Sequence, residues 1–353
     1  MTPIPAVHQY VRVGQRDGAP FRIFAQCTSL SFAGFIMQTV LAATLKRQFE
    51  NAHLEVYAHD NRPHVRDIIA CNPYIDRPLI NGNPMAFVTL ESFERDYWVK
   101  GEHQARGPAP FYADFIMPAS APHDLWLHAL PNHARLRIPM DHSASLIEEM
   151  TAAGLEFGRE HICVHYRHGA SYPKGTASAH RDQNLQTWAD VADRVQRELG
   201  LQVVVLGHPG MPKLYPEAPY VDLTSSTTMV QAYAVSRARF LLCSPSGPPA
   251  LSMGMGTPTL CVNMTDLWWG WGPYCWGLPV KTNLPMDELC SDALKREGAT
   301  CEHRTADEIM DAVRLVNDHH HGLAPQAPHE ITPPNRIEWP PRVMENPWRM
   351  IEL

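Results

Sequence analysis

Residues 186–207, QTWADVADRVQRELGLQVVVLG, decide the fold of this chain. The segment QTWADVADRVQREL (186–199) has apolar residues at spacings of three and four, which predicts an amphipathic helix, and Gly200 follows as a typical helix stop. QVVVLG (202–207) is a continuous apolar run rich in valine, the kind found in strands that are buried on both faces. A helix that leads directly into such a strand predicts a parallel α/β unit.

The same alternation of strands and helices continues on both sides of this stretch. Further predicted strands of the second half are HICVHYR (161–167), YVDL (220–223), RFLLCS (239–244) and TPTLCV (257–262), with helices at 227–238 and 248–256. The first half has predicted strands at 21–26, 54–60 and 77–80, and helices at 34–50, 63–70 and 145–153. Such short spacings imply right-handed parallel crossovers, so we expect an α/β fold in both halves.

The length of 353 residues suits two domains of ordinary size. We expect a first domain at 1–153 and a second at 154–323, where the strand and helix pattern restarts. The proline-rich tail at 324–353 has no helical period, and we expect it to pack across both domains. Hydrophobic residues make up 44% of the chain and charged residues 19%, which indicates folded domains with substantial cores.

Composition also excludes several classes of function. A net charge of −7 argues against nucleic-acid binding through a broad basic face. The eight cysteines include no C-x-x-C pair, and no acidic cluster has the spacing of metal ligands, so we expect neither a metal site nor a cofactor. The longest uncharged stretch, 29–45, is too short and too polar to cross a membrane, and the first residues lack an apolar signal core. We therefore expect a cytoplasmic protein without a transmembrane segment, which leaves peripheral membrane contact open.

Ligands of open parallel sheets bind at the carboxyl ends of the strands, so the residues after each predicted strand are candidates. The sharpest candidate is Ser244-Pro245-Ser246-Gly247 before Pro248, because unpaired N–H groups and the dipole at a helix start favour phosphate. Arg167 ends a neighbouring strand, and a guanidinium can hold two phosphate oxygens at once. With Lys174, His180 and Arg181 in the following loop, these residues predict a diphosphate pocket.

The full set of predicted diphosphate-binding residues is His165, Arg167, Ser171, Lys174, Arg181, Gly207, Ser244, Ser246, Gly247 and Pro248. Two plainer interpretations stay open. A Ser-Gly-Pro helix start is also common as a simple N-cap, and a basic loop is also typical of a solvated surface. Other phosphate and hydrolase chemistries fit poorly, since the chain has no Walker motif, no Ser in a G-x-S-x-G elbow and no G-x-G-x-x-G after its first strand.

Two stretches resemble the heptosyltransferase-like glycosyltransferases. In the first, 36–80, a helix ends in Leu-Lys-Arg-Gln-Phe at 45–49, and a strand and a second helix follow, closed by Asn-Pro-Tyr-Ile-Asp at 72–76. The second, 221–264, is similar to the donor half of that family, with Asp-Leu-Thr, a helix, a strand, a Ser-Gly-Pro turn and Gly-Thr-Pro in this order. The resemblance implies a GT-B fold, with two Rossmann-like α/β/α domains facing each other across a cleft. The first would bind the acceptor and the second the nucleotide sugar.

The chain also departs from that family. By our alignment the family's catalytic Gly-Asp pair is replaced by Ala33-Gly34, and its Asp-Ser/Thr-Gly-x-x-His becomes the segment at 245–250, which lacks both the acid and the histidine. The form HYRHG…HRDQN…W with a Ser-Gly turn looks closer to a less-studied bacterial glycosyltransferase group. His165-x-Arg167 also resembles the His-x-Arg of GDP-fucose-dependent fucosyltransferases.

The base of the reaction must then come from elsewhere, because inverting sugar transfer needs a group that takes the acceptor's hydroxyl proton. Asp60 is the first candidate, since it ends the predicted strand at 54–60, and Glu102 and Asp114 follow. The alternative for Asp60 is a structural one, as a cap of the helix after Pro63.

The resemblance thus implies an inverting, metal-independent glycosyltransferase. It would move a sugar from a nucleoside-diphosphate donor to a glycan, lipid or protein acceptor. Two alternatives stay open: a catalytically inactive relative that binds a nucleotide sugar or a partner protein, and a non-hydrolysing sugar epimerase of the same fold.

Overall fold

The computed structural model describes residues 11–12, 20–29, 31–47, 49, 51–60, 62–80, 87–89, 108–110, 115–117, 134–169, 179–215, 217–266, 275–320 and 349–350. These residues belong to two compact units. The strands of the first unit are β1 (Val11–Arg12), β2 (Arg22–Gln26), β3 (His53–Ala58), β4 (Arg77–Ile80), β5 (Phe87–Thr89), β6 (Pro108–Pro110) and β7 (Phe115–Met117). Its helices are α1 (Phe32–Lys46) and α2 (His64–Ala70).

The sheet of the first unit has the strand order β1-β7-β2-β3-β4. Strands β7, β2, β3 and β4 are parallel, as predicted for β2, β3 and β4, and β1 joins antiparallel at the edge. Strands β5 and β6 form a separate antiparallel pair. Helix α1 is buried almost all round from Ala33 to Leu45, which explains why the uncharged stretch at 29–45 is apolar without spanning a membrane.

The second unit contains the remaining helices and strands. Its helices are α3 (Ser143–Ala152), α4 (Leu185–Leu199), α5 (Thr228–Arg237), α6 (Pro248–Met255) and α7 (Ala306–His320). Its strands are β8 (His161–His165), β9 (Gln202–Val205), β10 (Val221–Asp222), β11 (Leu241–Cys243), β12 (Thr259–Met264), β13 (Cys275–Pro279) and β14 (Arg349–Met350).

All seven strands of the second sheet are parallel, in the order β10-β9-β8-β11-β12-β13-β14. The helix predicted at 186–199 and the strand predicted at 202–207 are both confirmed, as α4 and β9. Asn184 caps the start of α4 by accepting from the backbone N–H groups of Gln186 and Thr187, at 2.9 and 3.3 Å, and Gly200 ends it in a left-handed conformation with φ of 69°. Helix α7 begins with a capping box, since Thr305 and Glu308 each accept the other's backbone N–H.

The boundary between the units lies at Arg137 and Ile138, earlier than the predicted 153/154. Helix α3 belongs to the second unit, where it contacts α5, and its buried side chains are Leu146 and Met150. Of the tail predicted at 324–353, the structure describes Arg349–Met350, which pairs with β13 in the second sheet. The rest of that prediction falls outside the described residues.

Candidate anion-binding site

The carboxyl ends of the adjacent strands β8 and β11 bring the predicted site residues of the second unit together. The backbone N–H of Ser244 donates to the carbonyl of His165 at 3.0 Å, and the N–H of Arg167 donates to Oγ of Ser244 at 2.8 Å. Ser244 is completely buried. The hydroxyl of Ser244 therefore fixes the backbone of Arg167 beside the loop that leads into α6.

The start of α6 has the donors that an anion needs. Its N-cap, Gly247, has no side-chain capping bond, and the next two residues are prolines without an N–H. The hydroxyl of Ser246 donates backwards to the carbonyl of Ser244 at 2.9 Å, so the plain N-cap interpretation is wrong for Ser246. Within the part of the chain that the structure describes, the amides of Ser246 and Gly247 donate no hydrogen bond. Two backbone donors at a helix N-terminus suit a phosphate group.

Arg181 reaches the same loop from a different segment. Its Nε and Nη2 both donate to the carbonyl of Pro245, at 3.1 and 2.7 Å. The guanidinium of Arg181 is thereby held one residue from Ser246, and its charge adds to the positive potential at the start of α6. Arg167 and Arg181, two of the predicted site residues, thus contact neighbouring residues of this loop, Ser244 and Pro245.

The guanidinium of Arg167 is buried and pairs through Nη1 with Oδ1 of Asp182. Its side chain is only 4% exposed, whereas that of Asp182 is 30% exposed. The predicted cation is thus half of an ion pair, because a guanidinium removed from water needs a partner of opposite charge. Asp182 was not among the predicted site residues. Its signal in the sequence was a lone acid directly after Arg181 in an otherwise basic loop.

His165, one of the predicted site residues, is neutral. Burial lowers the pKa of His165 to about 4, with smaller contributions from the nearby His208 and Arg167, against the raising effect of its bond to Leu206. Its Nδ1 donates to the carbonyl of Leu206 at 3.0 Å, which fixes the tautomer. Nε2 is buried and has no hydrogen-bond partner among the described residues. His165 can therefore accept a hydrogen bond but cannot balance phosphate charge.

Gly207 follows β9 and lies next to the Leu206 carbonyl that binds His165. The side-chain amide of Gln231 on α5 holds it from both sides, accepting from the N–H at 3.0 Å and donating to the carbonyl at 2.9 Å. A Cβ at this position would lie 2.1 Å from Sδ of Met211, so only glycine fits without a shift. Gly207 thus packs against Met211 in a space that a larger residue would need.

Predicted residues of the first unit have other partners. Oδ2 of Asp60 accepts from both Nε and Nη2 of Arg66, at 2.8 and 2.5 Å. Helix α2 has Pro63 at its N-cap, whose side chain makes no capping bond, and Asp60 as a cap of this helix stays an alternative. At Gly34, a Cβ would lie 2.3 Å from Oγ of Ser29, which leaves no room for a side chain while that hydroxyl keeps its place.

Four predicted site residues lie outside the described residues: Ser171, Lys174, Glu102 and Asp114. Among the described residues, no group of three His, Cys, Asp or Glu side chains is placed to hold a metal ion. No helix in that part of the chain is both long and apolar enough to span a bilayer.

Comparison with known proteins supplies the wider context. No family model matches the sequence, and no curated protein matches it. Among solved structures, the glycosyl transferase family 9 protein from Veillonella parvula is similar, with a TM-score of 0.58 at 13% identity over 86% of this chain and 100% of that one. The ADP-heptose LPS heptosyltransferase II from E. coli has a TM-score of 0.54 at 12% identity, over 85% of this chain and 99% of that one. The chain therefore has the GT-B fold of the heptosyltransferase-like glycosyltransferases, as its sequence predicted.

Proposed function

We propose that this protein is a glycosyltransferase that transfers a sugar from a nucleoside-diphosphate donor and binds the donor's diphosphate at the start of α6. The observation that carries the proposal is the pair of amide donors on Ser246 and Gly247, flanked by Arg167 and Arg181. The similar heptosyltransferase II is named for ADP-heptose, a donor of this chemical class. The likeness in fold supports the same class of donor here.

The geometry favours departure of a nucleoside diphosphate. When the bond between sugar and phosphate breaks, negative charge grows on the leaving phosphate oxygen. Preorganised N–H donors and guanidinium groups stabilise that charge without reorganising at the moment of reaction. Arg181, anchored on the Pro245 carbonyl, is preorganised in this sense. These groups could fill the role that a divalent metal has in other transferases, so we propose that the transfer is metal-independent.

We further propose that transfer is inverting, with a base on the first unit that takes the proton of the acceptor hydroxyl. Asp60, Glu102 and Asp114 are the candidate bases. Oδ2 of Asp60 accepts both hydrogen bonds from the Arg66 guanidinium. The acceptor that we propose is a glycan, lipid or protein that carries this hydroxyl.

A second candidate function, binding of a nucleotide sugar without turnover, is favoured by Gly34. The family's aspartate position carries no carboxylate here, and Ser29 occupies the space beside it. A protein of this kind would keep the donor site of the second unit while lacking the base of the first.

Thermal shift followed by turnover tests the proposal. Binding to the folded state raises the melting temperature, so we expect a shift with one of the sugar-linked forms of UDP, GDP or ADP. Arg167→Ala should weaken that binding roughly ten- to a hundredfold, the loss of a charge-assisted contact. Arg197→Ala is a matched control, since this arginine of α4 is 66% exposed and pairs with Glu198 away from the site.

Three outcomes separate the alternatives. Turnover of the bound donor with an acceptor supports the transferase, and donor binding without turnover supports the second candidate. No shift with any nucleotide, or equal binding by Arg167→Ala and wild type, would contradict the proposed site.

A further inference from the structure

The ion pair of Arg167 with Asp182 joins a buried cation of the site to a carboxylate on a separate segment. A guanidinium has five N–H donors in one plane. When a carboxylate oxygen binds Nη1, it restricts the rotation of that plane. An arginine held in this way loses less conformational entropy when it binds an anion.

The backbone on either side of Asp182 is itself held in place. Arg181 is bound to the Pro245 carbonyl, and the N–H of Gln183 donates to the carbonyl of Arg167 at 2.9 Å. The Gln183 side chain accepts from Trp188 Nε1 at 3.2 Å and from Asn263 Nδ2 at 2.8 Å. Contacts to the residues after β8 and β11, to α4 and to β12 therefore hold the backbone on both sides of Asp182.

Gly169 shows how closely this carboxylate packs. A Cβ at position 169 would lie 2.1 Å from Oδ2 of Asp182 and 2.7 Å from Oδ1. The carboxylate occupies the space where any larger residue would place its side chain. Replacing this glycine would displace Asp182 without changing a single charge.

We propose that Asp182 is a positioning residue, which orients the Arg167 guanidinium for the diphosphate of the donor. This inference rests on the proposed function and names the residue on which the phosphate contact of Arg167 depends. Asp182 acts through Arg167, and its negative charge has no direct role at the diphosphate. Its removal would leave a buried guanidinium without its counter-charge and with greater rotational freedom.

The test measures binding of inorganic pyrophosphate and of ADP, GDP and UDP by titration calorimetry in EDTA, with adenosine, guanosine and uridine as phosphate-free controls. Asp182→Asn, which keeps the size of the side chain, should weaken pyrophosphate and nucleoside-diphosphate binding about tenfold and leave any nucleoside binding unchanged. Gly169→Ala should produce the same selective loss. Asp190→Asn, on α4 and hydrogen-bonded to Gln186, is the matched control and should bind like wild type.

The double variant Arg167→Ala/Asp182→Asn provides the readout that a purely structural role would not give. Because Asp182 acts through Arg167, Asp182→Asn should add no further loss in the Arg167→Ala background. Melting temperatures without ligand show whether each variant is folded, and Gly169→Ala replaces Asp182→Asn if the latter unfolds.

Several results would overturn the inference while the proposed function stands: unchanged or tighter diphosphate binding by Asp182→Asn, additive losses in the double variant, or an equal loss of nucleoside binding. Tighter binding would show that Asp182 competes with the anion for Arg167. If wild type binds neither pyrophosphate nor any of the three nucleoside diphosphates, the proposed function and this inference both fail.

Discussion

Acidification is expected to destabilise the second unit through His165. A histidine in an unfolded chain titrates near pH 6.5, whereas burial lowers the pKa of His165 to about 4 in the fold. Between these two values the unfolded chain binds a proton that the folded chain does not. The free energy of unfolding therefore falls as pH drops through this window, and from pH 7 to pH 5 the loss from one such site is about 2 kcal/mol.

His165→Asn isolates this contribution. Asparagine does not titrate, and its amide nitrogen can still donate to the Leu206 carbonyl that His165 Nδ1 binds at 3.0 Å. Urea unfolding followed by tryptophan fluorescence at pH 7 and pH 5 gives the change for each protein, and other titrating groups cancel in the difference. Wild type should lose about 2 kcal/mol more than His165→Asn over this range. His142→Asn, at an exposed position, controls for the loss of an imidazole. Equal pH dependence in wild type and His165→Asn would refute the reasoning.

Three further predictions concern the reaction and the fold. Activity should survive excess EDTA, because the amide donors at the start of α6 and the guanidinium of Arg181 stabilise the leaving diphosphate. Activity that is lost in EDTA and restored by magnesium or manganese would contradict this. Asp60→Asn should bind donor normally and turn over at least about a hundredfold more slowly in a steady-state assay, and near-normal turnover would remove Asp60 from the mechanism. Thr305→Ala should lower the free energy of unfolding by about 1 kcal/mol in urea titrations, because the capping box of α7 loses the Thr305 hydroxyl. An unchanged midpoint of urea unfolding would contradict this.

The sequence predicted the elements whose pattern is strong. The valine run at 202–207 and the spaced apolar residues of α4 each match one periodicity, and β9 and α4 form there. Strand β7, with three residues, was missed because it is too short to show a period. Strand β13, which pairs with β12, was missed because CWGLP contains glycine and proline, which are rare inside strands.

The site was predictable in its location but not in its charge. The rule that parallel sheets bind ligands at the carboxyl ends of strands led to Arg167 and to the segment that starts at Ser244, and the two are hydrogen-bonded in the structure. The pairing of Arg167 with Asp182 and the neutral state of His165 depend on burial and on residues distant in the chain. Neither property has a local signature, so a count of basic residues overstated the positive charge of the pocket.

The position of β14 affects how the second unit assembles during synthesis. Arg349 and Met350 add the outermost strand of a parallel sheet whose other six strands lie between residues 161 and 279. While the ribosome is still making residues 280–348, the backbone donors and acceptors along the outer side of β13 lack this partner. An unpaired strand edge can recruit a strand from another chain. The nascent second unit is therefore exposed to intermolecular pairing until residue 350 leaves the exit tunnel, and proteolytic fragments cut before β14 share this liability.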